Sequence, residues 1–131
     1  MSLSLEARPD NAALARRAVA GEAARARLDQ RTTAAAQVVV TEGFTNAVQH
    51  AYDGGDGRVQ VQAHADEGGI TIVVRDAGTG FRPRPRREGS FGGIGLLLVA
   101  SLAELLQLRR LPRGGTELRA RVGAESADPS A

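Results

Sequence analysis

The chain opens on an alternation: Leu3, Leu5 and Ala7 are apolar, and Ser4 and Glu6 between them are polar. A period of two marks a strand with one buried face. Pro9-Asp10-Asn11 follows, and proline and aspartate suit the first turn of a helix. Leu14, Ala18 and an alanine-rich run carry that helix to about Leu28, with Arg16, Arg17, Arg25 and Arg27 as its wet face. Asp29-Gln30-Arg31-Thr32 breaks it, and Thr32 or Thr33 is the expected N-cap of a second helix over residues 33–51. Its apolar positions Val38, Val39, Phe44, Ala47 and Val48 fit a helical period only loosely, which predicts cover on more than one side. After a glycine-rich turn, Val59, Val61 and Ala63 alternate with polar residues as a second strand. A hairpin turn at 66–69 returns Ile70, Ile72 and Val74 as a third strand, which stops at Asp76. Residues 77–93 have no period and read as a loop. Residues 94–107 are expected to form an apolar helix, and 108–111 and 117–122 the last two strands, turned by Pro112-Arg113-Gly114-Gly115.

Strands arriving in hairpins, with helices between, predict an α+β fold: a two-layer sandwich of a mixed, mostly antiparallel sheet with helices on one face. The length of 131 residues fits one domain, residues 1–122, with 123–131 a small polar tail expected to be disordered. Aromatics at 3% leave the core to leucine, valine, isoleucine and alanine. With no cysteine, disulfides, thiolate nucleophiles and cysteine-ligated zinc are excluded, and two isolated histidines make no His-rich metal site. Every one of the 17 basic residues is arginine. Without lysine there is no Walker-A loop, no eukaryotic-type kinase lysine and no Schiff base. The net charge is only +2; the high isoelectric point of about 10.3 reflects the near absence of groups that titrate above neutral pH, not a nucleic-acid partner. No run approaches the ~18 apolar residues of a membrane span, and the first residues have no leader pattern, so a cytoplasmic chain without membrane contact is expected.

Four short segments carry candidate chemistry. Glu42 and Asn46 stand four apart on the second helix, about 6 Å along its axis, with His50 one turn further. A carboxylate and an amide among Val38, Val39, Val40 and Phe44 need polar partners. A hydroxyl nucleophile for the carboxylate and magnesium for the amide oxygen fit that need. Asp76-Ala77-Gly78-Thr79-Gly80 ends a strand; its glycines allow close backbone approach, and Asp76 can accept a hydrogen bond from an exocyclic amine such as that of adenine. Gly89-Ser90-Phe91-Gly92-Gly93-Ile94-Gly95 opens a helix, where free N–H groups favour anions. Arg82, Arg84, Arg86 and Arg87 precede it with guanidinium groups suited to phosphate. Gly114-Gly115-Thr116 joins two strands. Each segment alone has an ordinary explanation as a polar helix face, a tight turn or a solvated basic loop.

In this order, however, they resemble the GHKL superfamily of ATPases and kinases, to which gyrase and the histidine kinases belong. The stretches Val38-Val39-Val40-Thr41-Glu42-Gly43-Phe44-Thr45-Asn46-Ala47-Val48-Gln49-His50-Ala51-Tyr52 and Val74-Arg75-Asp76-Ala77-Gly78-Thr79-Gly80-Phe81 look like the stand-alone anti-sigma factor serine/threonine kinases of partner-switching systems. The resemblance covers residues 3–122. It implies a GHKL (Bergerat) ATP-binding fold with ATP and Mg2+ as cofactors. Glu42 would be the general base, Asn46 the magnesium ligand and Asp76 the acceptor for the adenine amine. Gly78 and Gly80 would shape the pocket, Thr116 assist at the base, and Gly93 and Gly95 lie at the phosphates under a lid of residues 81–92. It further implies transfer of the γ-phosphate to a STAS-type anti-anti-sigma partner, sequestration of a sigma factor, a homodimer, and no direct nucleic-acid contact. Arg16, Arg17 and Arg25 would face the sigma factor. Many relatives carry arginine where this chain has Ile94, so a phosphate-neutralising arginine would come from Arg84, Arg86 or Arg87. Gly43 costs the helix up to ~1 kcal/mol relative to alanine and reads as room for a ligand or a neighbouring helix. Other readings are a nucleotide-gated binding module without phosphotransfer and a detached histidine-kinase ATPase domain, the latter lacking a phosphoacceptor since His50 lies in the pocket helix and His64 on a strand. A nucleic-acid-binding α+β domain would need a contiguous basic face.

Overall fold

Alternating residues become the two faces of a five-stranded sheet. The computed structural model describes residues 1–51, 57–78 and 93–124. Its elements are β1 (Ser2–Glu6), a 3-10 turn (Pro9–Asn11), α1 (Ala12–Arg25), α2 (Gln30–Ala51), β2 (Arg58–Asp66), β3 (Gly69–Asp76), α3 (Gly93–Leu102), β4 (Leu105–Arg110) and β5 (Thr116–Gly123). The strand order is β1-β2-β3-β5-β4, and every pairing is antiparallel. The inner face is Val59, Val61, Ala63 and Ala65 from β2, Ile70, Ile72 and Val74 from β3, and Leu118, Ala120 and Val122 from β5, all buried. The helices cover this face, and the result is the expected two-layer α+β sandwich.

The second helix is the keel of the core. Ala36, Val39, Val40, Phe44 and Ala47 are buried along one stripe at the i, i+3, i+4, i+8, i+11 spacing of a helix face. Phe44 is fully buried. Packing of α2 against α1, α3 and the sheet gives it cover on several sides, as its loose period predicted. α1 buries small residues, Ala12, Ala15, Val19 and Ala23. No helix among the described residues is long and apolar enough to cross a membrane.

Three boundaries differ from the sequence-based expectations. The second helix starts at Gln30, and its cap is Asp29 rather than a threonine: the Asp29 carboxylate accepts the Thr32 N–H at 2.8 Å and the Thr32 hydroxyl at 2.7 Å. Thr32 thus sits inside the first turn, where its N–H is one of the donors that need a cap. α1 ends at Arg25 rather than Leu28. Leu28 N–H reaches the Ala23 carbonyl and Arg27 N–H that of Ala24, with Arg27 at φ 60° in the left-handed conformation that closes such a helix end. The third helix stops at Leu102, and the fourth strand is Leu105–Arg110 rather than 108–111. A continuous apolar run suits helix and strand alike; pairing of Leu106 with Ala120 and Leu108 with Leu118 decides for strand. Of the residues read as α1's wet face, Arg16 is half-buried, 3.4 Å from the Thr41 hydroxyl, while Arg17, Arg25 and Arg27 are exposed. The expected tail falls largely on residues 125–131, outside the described residues.

Among the described residues, two carboxylates are buried with partners. Glu22 accepts two bonds from Arg25 (2.7 and 3.2 Å) and the Ala65 N–H at 2.8 Å, tying α1 to β2. The Arg25 guanidinium and then that N–H hold its carboxyl down at about 2. Glu117, 2% exposed, is pushed up by burial, but bonds from Arg109 and Arg75 outweigh this and hold it at about 2. Both bind protons less tightly folded than at their ordinary 4.5, so the stability they contribute is present above about pH 4.5 and lost as pH falls toward 2. Urea midpoints measured across this window should fall steeply, and less steeply in Glu22→Gln and Glu117→Gln; equal slopes in all three proteins would refute the assignment.

Candidate functional site

The site forms where α2 crosses the ends of β3 and β5. Gly43 sets the contact: a Cβ there would lie 3.1 Å from the Val74 Cγ2 and 3.7 Å from the Leu118 Cδ2. The room predicted at Gly43 is therefore taken by the sheet, not by a ligand or a helix. The glycine lets α2 settle on β3 and β5 one residue from Glu42. Glu42 and Asn46 are both half-buried on this helix.

Glu42 meets the third motif directly. A Cβ built on Gly95 would stand 2.5 Å from the Glu42 Oε2. α3 opens at Gly93, so the carboxylate lies by the helix's first turn, the end whose N–H groups are unpaired within the helix. The first and third motifs, about fifty residues apart in the chain, thus share one place.

The second and fourth motifs share another. Asp76 pairs with Thr116 across the β3–β5 ladder, two residues beyond Val74 on the same face. Its Oδ1 accepts the N–H of Gly78 and that of Thr116, both at 3.2 Å. Gly114 and Gly115 both have φ +97°, a backbone that L side chains avoid. A Cβ on Gly115 would collide with the Asp76 carbonyl oxygen, and one on Gly114 would lie 3.6 Å from that of Gly78. Read from sequence as a turn, the double glycine in fact lays the β4–β5 hairpin onto the Asp76-Ala77-Gly78 backbone.

Electrostatically Asp76 differs from Glu22 and Glu117. Burial, the largest influence, raises its carboxyl above the ordinary 3.8, and the N–H groups of Gly78 and Thr116 offset this only in part. No guanidinium is among its partners in the described residues. The half-buried carboxylate can accept further hydrogen bonds beyond these two N–H groups. Gly80, the lid of residues 81–92 and Arg82, Arg84, Arg86 and Arg87 lie outside the described residues, as do the side chains of His50 and Ile94.

A two-layer α+β fold with a carboxylate–amide helix over a strand-end aspartate and glycine turns defines a class, the ATPase domains of GHKL type. The family model of the histidine kinase-like ATPase domain matches residues 5–122, and the chain belongs to that family. It is 30% identical over 122 residues to the serine-protein kinase RsbW of Listeria innocua, covering 82% of this chain and 78% of that protein. It is 35% identical over 98 residues to a sensor histidine kinase component of Mycobacterium tuberculosis, covering 62% of this chain and 56% of that protein. A crystal structure of the RsbU and RsbW domains of a Mycobacterium tuberculosis protein has the same fold, with TM-score 0.67 and 20% identity over 97% of this chain. The present chain spans 34% of that longer one.

Two substitutions test this geometry. Because the folded chain raises the Asp76 carboxyl, its ionised form weakens folding as pH rises through that value. Asp76→Asn keeps an oxygen acceptor for the two N–H groups and should raise the melting temperature of the nucleotide-free protein at neutral pH; a lower one would contradict the burial cost. Gly115→Ala should destabilise by more than about 1 kcal/mol in urea unfolding, since both its φ and the Asp76 carbonyl oppose a side chain.

Proposed function

We propose that this chain is an ATP-dependent protein serine/threonine kinase that phosphorylates an anti-anti-sigma protein and sequesters a sigma factor. The observation that carries the reading is the packing of the Glu42 carboxylate against Gly95, one turn from Asn46, on a helix seated over Val74 and Leu118 beside Asp76 and Thr116. The kinase name of the Listeria innocua relative supports the activity. In this reading residues 1–122 form one ATPase domain that works as a cytoplasmic homodimer with a STAS-type partner.

Asp76 accepts the adenine amine, with Gly78 and Gly80 admitting the base and Thr116 beside it. The first turn of α3, with Gly93 and Gly95, faces the phosphates. The described residues contain no group of three His, Cys, Asp or Glu that would hold a metal alone. One amide oxygen from Asn46 fits an ion carried mainly by phosphate oxygens and water, as magnesium is. Bound there, magnesium would supply neutralising charge to the phosphates. Glu42 takes the proton from the partner's hydroxyl as that oxygen bonds to the γ-phosphorus and the bond to the β,γ-bridging oxygen breaks, leaving ADP. Arg84, Arg86 or Arg87 completes the charge on the transferring group.

Ile94, standing where many kinases of this kind have arginine, favours one second reading: a nucleotide-gated binding module that acts by sequestration without useful phosphotransfer. Labelled ATP and the cognate acceptor separate the two. Glu42→Ala should lower transfer by about 100-fold or more with ATP binding nearly unchanged, and Asn46→Ala should lose magnesium-dependent ATP binding. Absence of transfer in the unaltered protein with ATP still bound selects the second reading; flat calorimetry with adenine nucleotides removes both.

A further inference from the structure

Among the described residues no element covers the sheet face opposite the helices, and its residues fall into rows across the strands. Gln60, Arg75, Glu117 and Arg109 form one row; Gln62, Val73, Arg119 and Gln107 the next; His64, Thr71, Arg121 and Leu105 the third. In the third row Arg121 is answered by Asp66 and Glu104, each at 3.0 Å. The first two rows are not balanced. Arg75 (2.6 Å), Arg109 (3.1 Å) and Arg119 (3.6 Å) all converge on the single carboxylate of Glu117. Among the described residues, three positive charges against one negative leave a surplus of two in these two rows, while the third row carries one negative charge in excess. The carboxylate is sealed, with its side chain 3% exposed, while the side chains of Arg109 and Arg119 stay 62% and 38% exposed. Beside Arg119 lies a shallow hollow of about 310 Å³, lined by Met1, Gln62, His64, Thr71 and Val73, the last of these 6% exposed.

We propose that this open face is a docking surface for an acidic protein segment, whose carboxylates meet Arg109 and Arg119 while an apolar side chain enters the hollow over Val73. Charge complementarity selects the partner. A buried carboxylate already fixes the guanidinium groups in place, so their outward N–H donors are pre-organised for further carboxylates. Self-repulsion among the three arginines is relieved by added negative charge. The described residues of this face include no phenylalanine, tyrosine or tryptophan on which bases would stack, and two surplus charges are few for a phosphate backbone. A protein segment therefore fits better than nucleic acid. The surface lies across the sheet from Glu42 and Asp76, and the inference does not depend on the kinase reading.

The test uses a labelled amphipathic peptide with two glutamates and a leucine on one face, its glutamine counterpart and a thymidine oligonucleotide. The glutamate peptide should bind in a salt-sensitive way, and Arg109→Ala/Arg119→Ala should weaken it by about tenfold with ATP affinity unchanged. Arg75 is retained in this variant so that Glu117 keeps a partner. In the unaltered protein, amide shifts should centre on Thr71, Val73 and Arg119. Equal binding of the glutamine peptide, tighter binding of the oligonucleotide, shifts on the helical face, or no saturation at millimolar peptide would each overturn the proposal.

Discussion

The close seating of α2 on the sheet is the contact on which the rest depends. Gly43 puts helix backbone within van der Waals reach of Val74 and Leu118, and Phe44 beside it is fully buried. A helix held so rigidly has its neighbouring positions fixed as well. Glu42 turns toward the start of α3, and Asn46 follows one turn on. The helix gives up propensity at this glycine, and in return α2 backs directly onto Val74 and Leu118, each two residues from the paired Asp76 and Thr116. Close packing brings Glu42 to Gly95, and hydrogen bonds along the β3–β5 ladder bring Asp76 to Thr116.

The buried acids divide by partner. Glu22 and Glu117 are met by guanidinium groups and lose their protons readily, so their burial supports the fold. Asp76 is met by backbone N–H groups and keeps its proton more firmly than usual. Asp76 is a carboxylate held at a disadvantage in a half-covered position, with glycine turns packed around it. The same contrast separates the two sides of the sheet. The helical side carries Glu42, Asn46 and Asp76, and the other side gathers arginines around one carboxylate.

Some features of the fold are settled by no local window of sequence. Residues 94–107 are apolar without a clear period, and nothing local tells helix from strand there. The break at Leu102 follows from β5 needing a partner beyond β3, which Leu106 and Leu108 supply. Thr32 looked like a cap because its type suits one, yet Asp29 three residues earlier takes the role and uses Thr32 as its donor. Gly43 was legible as an anomaly, but what fills the space is contributed by residues some thirty and seventy-five positions away.

The chain's alternations and stripes by themselves determined the number and kind of most elements, the hairpin arrangement of β2 and β3, and the four candidate segments. Those features rest on local periodicity and on residue types whose chemistry is intrinsic. The exclusion of lysine and cysteine chemistry is equally a property of composition. Only the tertiary structure decided which segments touch: Glu42 with Gly95, Gly115 with Asp76, Glu117 with three arginines from three strands. Contacts of that kind depend on strand order and helix depth, which follow from the burial of the whole core and are written in no single window of sequence.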